Sequence, residues 1–130
     1  MFEEFVTPAE ALSTPYLYLP FDLPAGTTRI DVTLEHDPGN VIDLGLFDPR
    51  MEAFPSRGGF RGWSGGARDS FFVASDDATP GYLPGEMPDG RWHVILGLYR
   101  IREPGCSYRV EVVFDDAPRE ALGPPEPMPS

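Results

Sequence analysis

Between residues 16 and 49 the chain reads YLYLPFDLPAGTTRIDVTLEHDPGNVIDLGLFDP, three runs in which apolar side chains recur at every second position. Leu17, Leu19, Phe21 and Leu23 share one side of the first run, Ile30, Val32 and Leu34 one side of the second, and Ile42, Leu44 and Leu46 one side of the third. A period of two places such residues on a single face of a β-strand. In the second run Arg29, Asp31, Thr33 and Glu35 fill the opposite face, so that side of the sheet meets water. Pro24-Ala25-Gly26 and Asp37-Pro38-Gly39-Asn40 separate the runs and carry turn chemistry.

Further strands are predicted over 70–75, 91–101 and 107–114. The last sets Tyr108, Val110, Val112 and Phe114 against Ser107, Arg109 and Glu111. Near the start, residues 2–6 suit a short edge strand. Thr7-Pro8-Ala9-Glu10 has the form of a helix capping box with proline at the first helical position, and Pro15 limits that helix to a turn or two. Seven to eight short strands, punctuated by proline and glycine and without a long helix, predict an all-β protein. The expected architecture is an antiparallel β-sandwich of jelly-roll or Greek-key type. It spans residues 1–115, and a proline-rich tail or linker follows over 116–130.

Two segments depart from simple alternation. In GRWHVILGLYRI, residues 90–101, Trp92, Val94, Leu96 and Leu98 form one apolar face while Ile95, Tyr99 and Ile101 make the other nearly so. Such a strand must be covered on both sides, by the chain's own loop, by a further domain or by a second copy. Phe47 adds to the same outer face. Residues 49–69, PRMEAFPSRGGFRGWSGGARD, show no period and are read as a long loop anchored by Phe54, Phe60 and Trp63. Loops of this length in compact domains tend to carry function.

Four arginines against one glutamate, from Arg50 to Arg68, give that loop a local positive charge in a 130-residue chain of net charge −11. Arginine forks and exposed glycine N–H groups suit an anion, and the interleaved aromatics suit single-stranded RNA. Packing, with the arginines paired to the chain's own carboxylates, ranks first for this segment. Domain docking ranks second, anion binding third and RNA last. The candidate ligand or docking residues are Arg57, Phe60, Arg61, Trp63 and Arg68 in the loop, and Ile95 and Tyr99 on the strand.

The acidic surface argues against general affinity for nucleic acid or anionic membranes, and neither is an expected partner. All ten basic residues are arginine. Cys106 is the single cysteine, so no internal disulfide forms, and no apolar run approaches the roughly 20 residues of a membrane helix. A cytoplasmic location is expected.

For chemistry the chain offers His36 and His93 only. Asp37, Asp43, Asp48, Asp76 and Asp77 are hard oxygen ligands of the kind calcium uses, but aspartate at turns is a routine backbone cap. Residues 62–66, GWSGG, match G-x-S-x-G formally without the strand, turn and helix that a nucleophile elbow needs. No catalytic set, metal site or cofactor is predicted.

Residues 16–49, with FRGWSGGAR (60–68), ATPGYLPG (78–85), GRWHVILGLYRI (90–101) and YRVEV (108–112), resemble the N-terminal β-sandwich domain of the CehA/McbA (carbaryl hydrolase-like) metallohydrolases of the PHP superfamily. A looser similarity links the chain to bacterial pre-peptidase C-terminal domains, some of which bind calcium. The first resemblance implies a non-catalytic accessory domain that supports or docks a PHP-type metallohydrolase domain, in cis or in trans. The HxH pair that opens the family's metal-binding motifs is absent, so none of its catalytic residues carries over. The alternative is a stand-alone binding module for calcium, carbohydrate or a small anion, and a homodimer is compatible with either.

Overall fold

The computed structural model describes residues 2–50, 59–66, 69–115 and 117–118. In chain order the elements are β1 (Phe2–Val6), α1 (Pro8–Ser13), β2 (Tyr16–Leu23), β3 (Arg29–His36), β4 (Val41–Phe47), β5 (Phe60–Gly65), β6 (Ser70–Ala74), β7 (Gly90–Arg100), β8 (Cys106–Phe114) and β9 (Ala117–Pro118). They build two antiparallel sheets. One runs β1-β8-β3-β6, with β9 added on β8, and the other runs β2-β7-β4-β5. This interleaved order is that of a jelly roll, two Greek keys wound into a sandwich.

The predicted alternation is what builds the core. Ile30, Val32 and Leu34 of β3 stand opposite Phe114, Val112 and Val110 of β8, and all six are buried. Leu19, Phe21, Leu44, Leu46, Val94 and Leu96 face them from the second sheet. Phe21 ties the layers together, stacked on Trp92 at 6.3 Å and tilted against Phe114 at 5.6 Å. The capping box forms as predicted: the Thr7 hydroxyl accepts from the Glu10 N–H at 3.2 Å, and the Glu10 carboxylate accepts from the Thr7 N–H at 3.0 Å.

Residues 60–65, predicted as loop, are an edge strand. β5 pairs with β4 but its register shifts between Leu44 and Gly45 and again between Leu46 and Phe47. A strand that slips twice within six residues cannot carry a period of two, which is why the pattern concealed it. Beyond the β6 edge the chain returns through a Val73↔Ala78 bridge and then crosses to β5 through a Gly62↔Tyr82 bridge. Tyr82 is the plug of this closure. Its ring stacks on Phe71 at 4.0 Å, and its hydroxyl donates to the Leu44 carbonyl at 3.0 Å and meets the Ser64 hydroxyl at 2.9 Å. Gly62 has φ +148°, and a Cβ there would stand 2.3 Å from the Tyr82 ring, so only glycine admits the plug.

At the other side of the second sheet β2 is the edge strand, with Pro20 in mid-strand opposite His93. β7, central in that sheet, is buried without a break from Trp92 to Leu98. Most of the predicted tail lies outside the described residues, although Ala117 and Pro118 pair with Phe114 and Val113. Among the described residues no helix is long and apolar enough to cross a membrane.

Candidate functional site on the four-stranded sheet

The outer face of the β2-β7-β4-β5 sheet is set by the residues that alternate with its core positions. Strand register arranges them in three rows: Pro20, His93, Phe47 and Phe60; then Tyr18, Ile95, Gly45 and Trp63; then Tyr16, Gly97 and Asp43. In the first row Phe47 and Phe60 meet edge to face at 5.6 Å. In the second, the Trp63 indole lies across the sheet, since a Cβ on Gly45 would stand 2.4 Å from its Cε3 and one on Gly97 3.1 Å from its Cη2. Two glycines on neighbouring strands thus provide the trough in which the indole rests. The Tyr16 ring leans against it, 6.3 Å away and tilted by 60°.

Ile95, proposed from the sequence as a docking residue, is only 2% exposed, and Tyr99 is 76% exposed. The second face of β7 is therefore internal around Ile95 and open at its C-terminal end. A hollow of about 290 Å³ lies there, rimmed by Leu12 and Pro15 and lined by Tyr16, Asp43, Gly97 and Tyr99. Leu12 is 87% exposed and Tyr16 46%. The Asp43 carboxylate leans over the floor, with Oδ2 3.3 Å from the position a Cβ on Gly97 would take. Burial pushes its pKa up from the ordinary carboxylate value. Among the described residues it makes no hydrogen bond or ion pair.

At the opposite end of β4 a second carboxylate is treated in the reverse way. Asp48 is fully buried, and both Arg50 and Arg61 pair with it, Arg61 Nη1 lying 3.3 Å from Oδ2. Burial raises the Asp48 pKa, but the hydrogen bonds and charge of Arg50, with the charge of Arg61, outweigh that and hold it below the ordinary carboxylate value. Arg61 is itself 3% exposed. It donates to the carbonyls of Leu83 at 3.0 Å and Glu86 at 2.8 Å, and its guanidinium lies over the Trp92 ring at 5.1 Å. Burial draws its pKa down more than Asp48 lifts it. This fork is spent within the chain, on Asp48 and two carbonyls, the arrangement ranked first for the segment from its sequence. Arg57 and Arg68 lie outside the described residues.

Family models, curated proteins and solved structures return no match to this chain.

The remaining residues of interest serve the fold. Asp37 accepts from the Ser107 N–H at 2.8 Å, and Asp77 from the Ala78 N–H at 2.8 Å. His36 Nδ1 is 2.8 Å from the Asp37 carbonyl. His93 sits in the central strand β7 with its ring edge-on to Tyr18 at 6.5 Å. Ser64 of the GWSGG segment lies within β5, bonded to Tyr82 and to the Leu44 carbonyl. Among the described residues no group of three or more His, Cys, Asp and Glu side chains is placed to hold a metal ion.

Sequence reasoning named Trp63 and Tyr99 but missed Tyr16, Leu12 and Asp43 as their neighbours. One signal was present. Gly97 interrupts the run Val94-Ile95-Leu96-Gly97-Leu98-Tyr99, and a lone glycine in a strand marks close approach of another group.

Proposed function

We propose that this chain is a non-catalytic accessory β-sandwich domain that docks a PHP-type metallohydrolase domain, in cis or in trans, through the outer face of the four-stranded sheet. The observation that carries this reading is the grouping of Leu12, Tyr16 and Tyr99, three large exposed apolar residues, around a single hollow. Exposed apolar side chains gathered in one place, rather than scattered, mark recognition surfaces, and tyrosine is favoured in them. The family resemblance names the partner. A catalytic role gains no support from Ser64, whose hydroxyl is bonded to Tyr82 and the Leu44 carbonyl and not to a histidine.

Replacing Tyr99 with Glu or Leu12 with Glu is expected to weaken association with a CehA/McbA-type hydrolase domain in a pull-down while leaving the melting temperature close to that of the parent. Ile95→Glu serves as the contrast and is expected to unfold the domain, because it buries a charge without a partner. Association unaffected by both surface changes would place the docking face elsewhere. A second reading, a ligand-binding module, is favoured by the bare Asp43 carboxylate.

A further inference from the structure

We infer that the hollow between Tyr16, Tyr99 and Asp43 binds an organic cation, an alkylammonium or guanidinium group. The inference shares the reading of this face as a recognition surface, and it does not depend on a hydrolase partner.

The first reason is the state of Asp43. A half-buried carboxylate is costly to leave alone, and other acids of this chain have arginine partners: Asp31 with Arg29, Asp48 with Arg50 and Arg61, Asp22 with Arg91, Glu35 with Arg109. Asp43 has none among the described residues, although it lies more deeply than Asp22 or Glu35. Its charge is held at the floor of a hollow, where an entering cation would complete the pair. The second reason is the wall. Tyr16 and Tyr99 line the hollow, and Trp63, outside the lining itself, backs the Tyr16 ring at 6.3 Å. Aromatic rings attract cations through their quadrupole, and such rings beside a carboxylate form the usual receptor for ammonium groups.

Size and polarity select among ligands. At about 290 Å³ the hollow lies at the small end of ligand pockets, which run from roughly 300 to 1,000 Å³, and it fits a head group rather than an extended molecule. Polar side-chain atoms in its lining come from Asp43 and the two tyrosine hydroxyls, and Ala11, Leu12, Pro15, Gly97 and Leu98 supply the rest. A sugar ring needs several directed hydrogen bonds, whereas a methylated or guanidinium cation needs one opposite charge and apolar contact. The net charge of −11 adds a field that draws cations inward.

The same chemistry could come from a free ammonium compound or from an arginine or lysine side chain of a partner. The test is an NMR titration of the full chain with choline, with the neutral tert-butyl analogue of choline, and with arginine amide, following the amide signals of Asp43, Gly97 and Tyr99. Saturable shifts with choline or arginine amide are expected, with the neutral analogue roughly tenfold weaker. Asp43→Asn should lose about tenfold in affinity, and Tyr99→Ala severalfold, both in chains whose spectra remain dispersed. Preference for choline points to a free ligand and preference for arginine amide to a partner's side chain. Equal binding of the neutral analogue, unchanged affinity in Asp43→Asn, or no saturable shift with any cation would overturn the inference. Choline binding by a chain that fails to associate with a hydrolase domain would sink the docking reading alone.

Discussion

Replacing Arg61 with methionine removes a buried guanidinium while keeping an apolar stem of similar reach over Trp92. Asp48 then remains fully buried with Arg50 alone, whose side chain is 62% exposed. Breaking a buried pair by deleting one partner typically costs about 3 to 5 kcal/mol, because the charge left behind is uncompensated. Arg50 stays in place, so the lower end, roughly 3 kcal/mol, is expected. The Leu83 and Glu86 carbonyls also lose a donor, but both residues reach solvent and water replaces it, so little is added. Against a total stability of about 5 to 15 kcal/mol this is a large fraction, and it corresponds to a fall in melting temperature on the order of 10 °C.

Urea denaturation of the parent, Arg61→Met, Asp48→Asn and the double variant makes the reasoning checkable. If the penalty comes from the stranded charge, the double variant should recover about 1 to 2 kcal/mol relative to the sum of the singles. Acid supplies an independent arm. The folded-state pKa of Asp48 is lowered, so its stabilisation is present above the unfolded pKa and disappears as pH falls through the folded value. The parent should therefore lose stability below about pH 4, and its margin over Arg61→Met should narrow there, since a protonated Asp48 needs no partner. An Arg61→Met variant within about 1 kcal/mol of the parent at neutral pH, or strictly additive singles, would refute the account.

Three other outcomes follow from particular contacts. Gly62→Ala should destabilise by about 2 kcal/mol or more in thermal melts, because it combines an unfavourable φ with a methyl group driven into the Tyr82 ring. Tyr82→Phe keeps the stack on Phe71 but leaves the Leu44 carbonyl and Ser64 hydroxyl short of a partner, and a loss of about 1 kcal/mol by urea titration is expected. Asp43→Asn should raise the melting temperature near neutral pH and leave it unchanged at about pH 3: burial raises the folded-state pKa, so the carboxyl favours folding below its unfolded pKa and loses that contribution as pH climbs through the folded value. A lower melting temperature for Asp43→Asn at neutral pH would contradict the isolation of that carboxylate.

Where a strand alternates and stays in register, the sequence disclosed it. β3 and β8 bury every second residue, and the capping box at Thr7 and Glu10 formed from a four-residue signal. β5 escaped because its pairing slips at two points and its glycines erase the pattern. The site was half visible for a related reason. Trp63 and Tyr99 are conspicuous by size, but Asp43 resembles any outward aspartate until the register brings it beside Gly97 and Tyr16. For Arg61 the sequence suggested a pair with one of the chain's own carboxylates without naming which. A glycine-rich stretch without a period does not say which partners those are, and the convergence of Asp48, Leu83 and Glu86 around Arg61 comes from the fold.

Pro20 gives the β2 edge a meaning beyond its place in the sheet. A proline has no N–H, so in a strand paired on one side only it can stand where its nitrogen faces outward. A foreign strand laid along β2 would meet a missing donor halfway, just where it needs continuous pairing to gain hold. Edge-to-edge growth, the ordinary hazard of an open sheet, is interrupted there at the cost of one residue. The far edge, β5, is crossed by the bridge to Tyr82. With both flanks of this sheet obstructed, association is steered from backbone pairing toward side chains, and thus toward partners chosen by shape and charge.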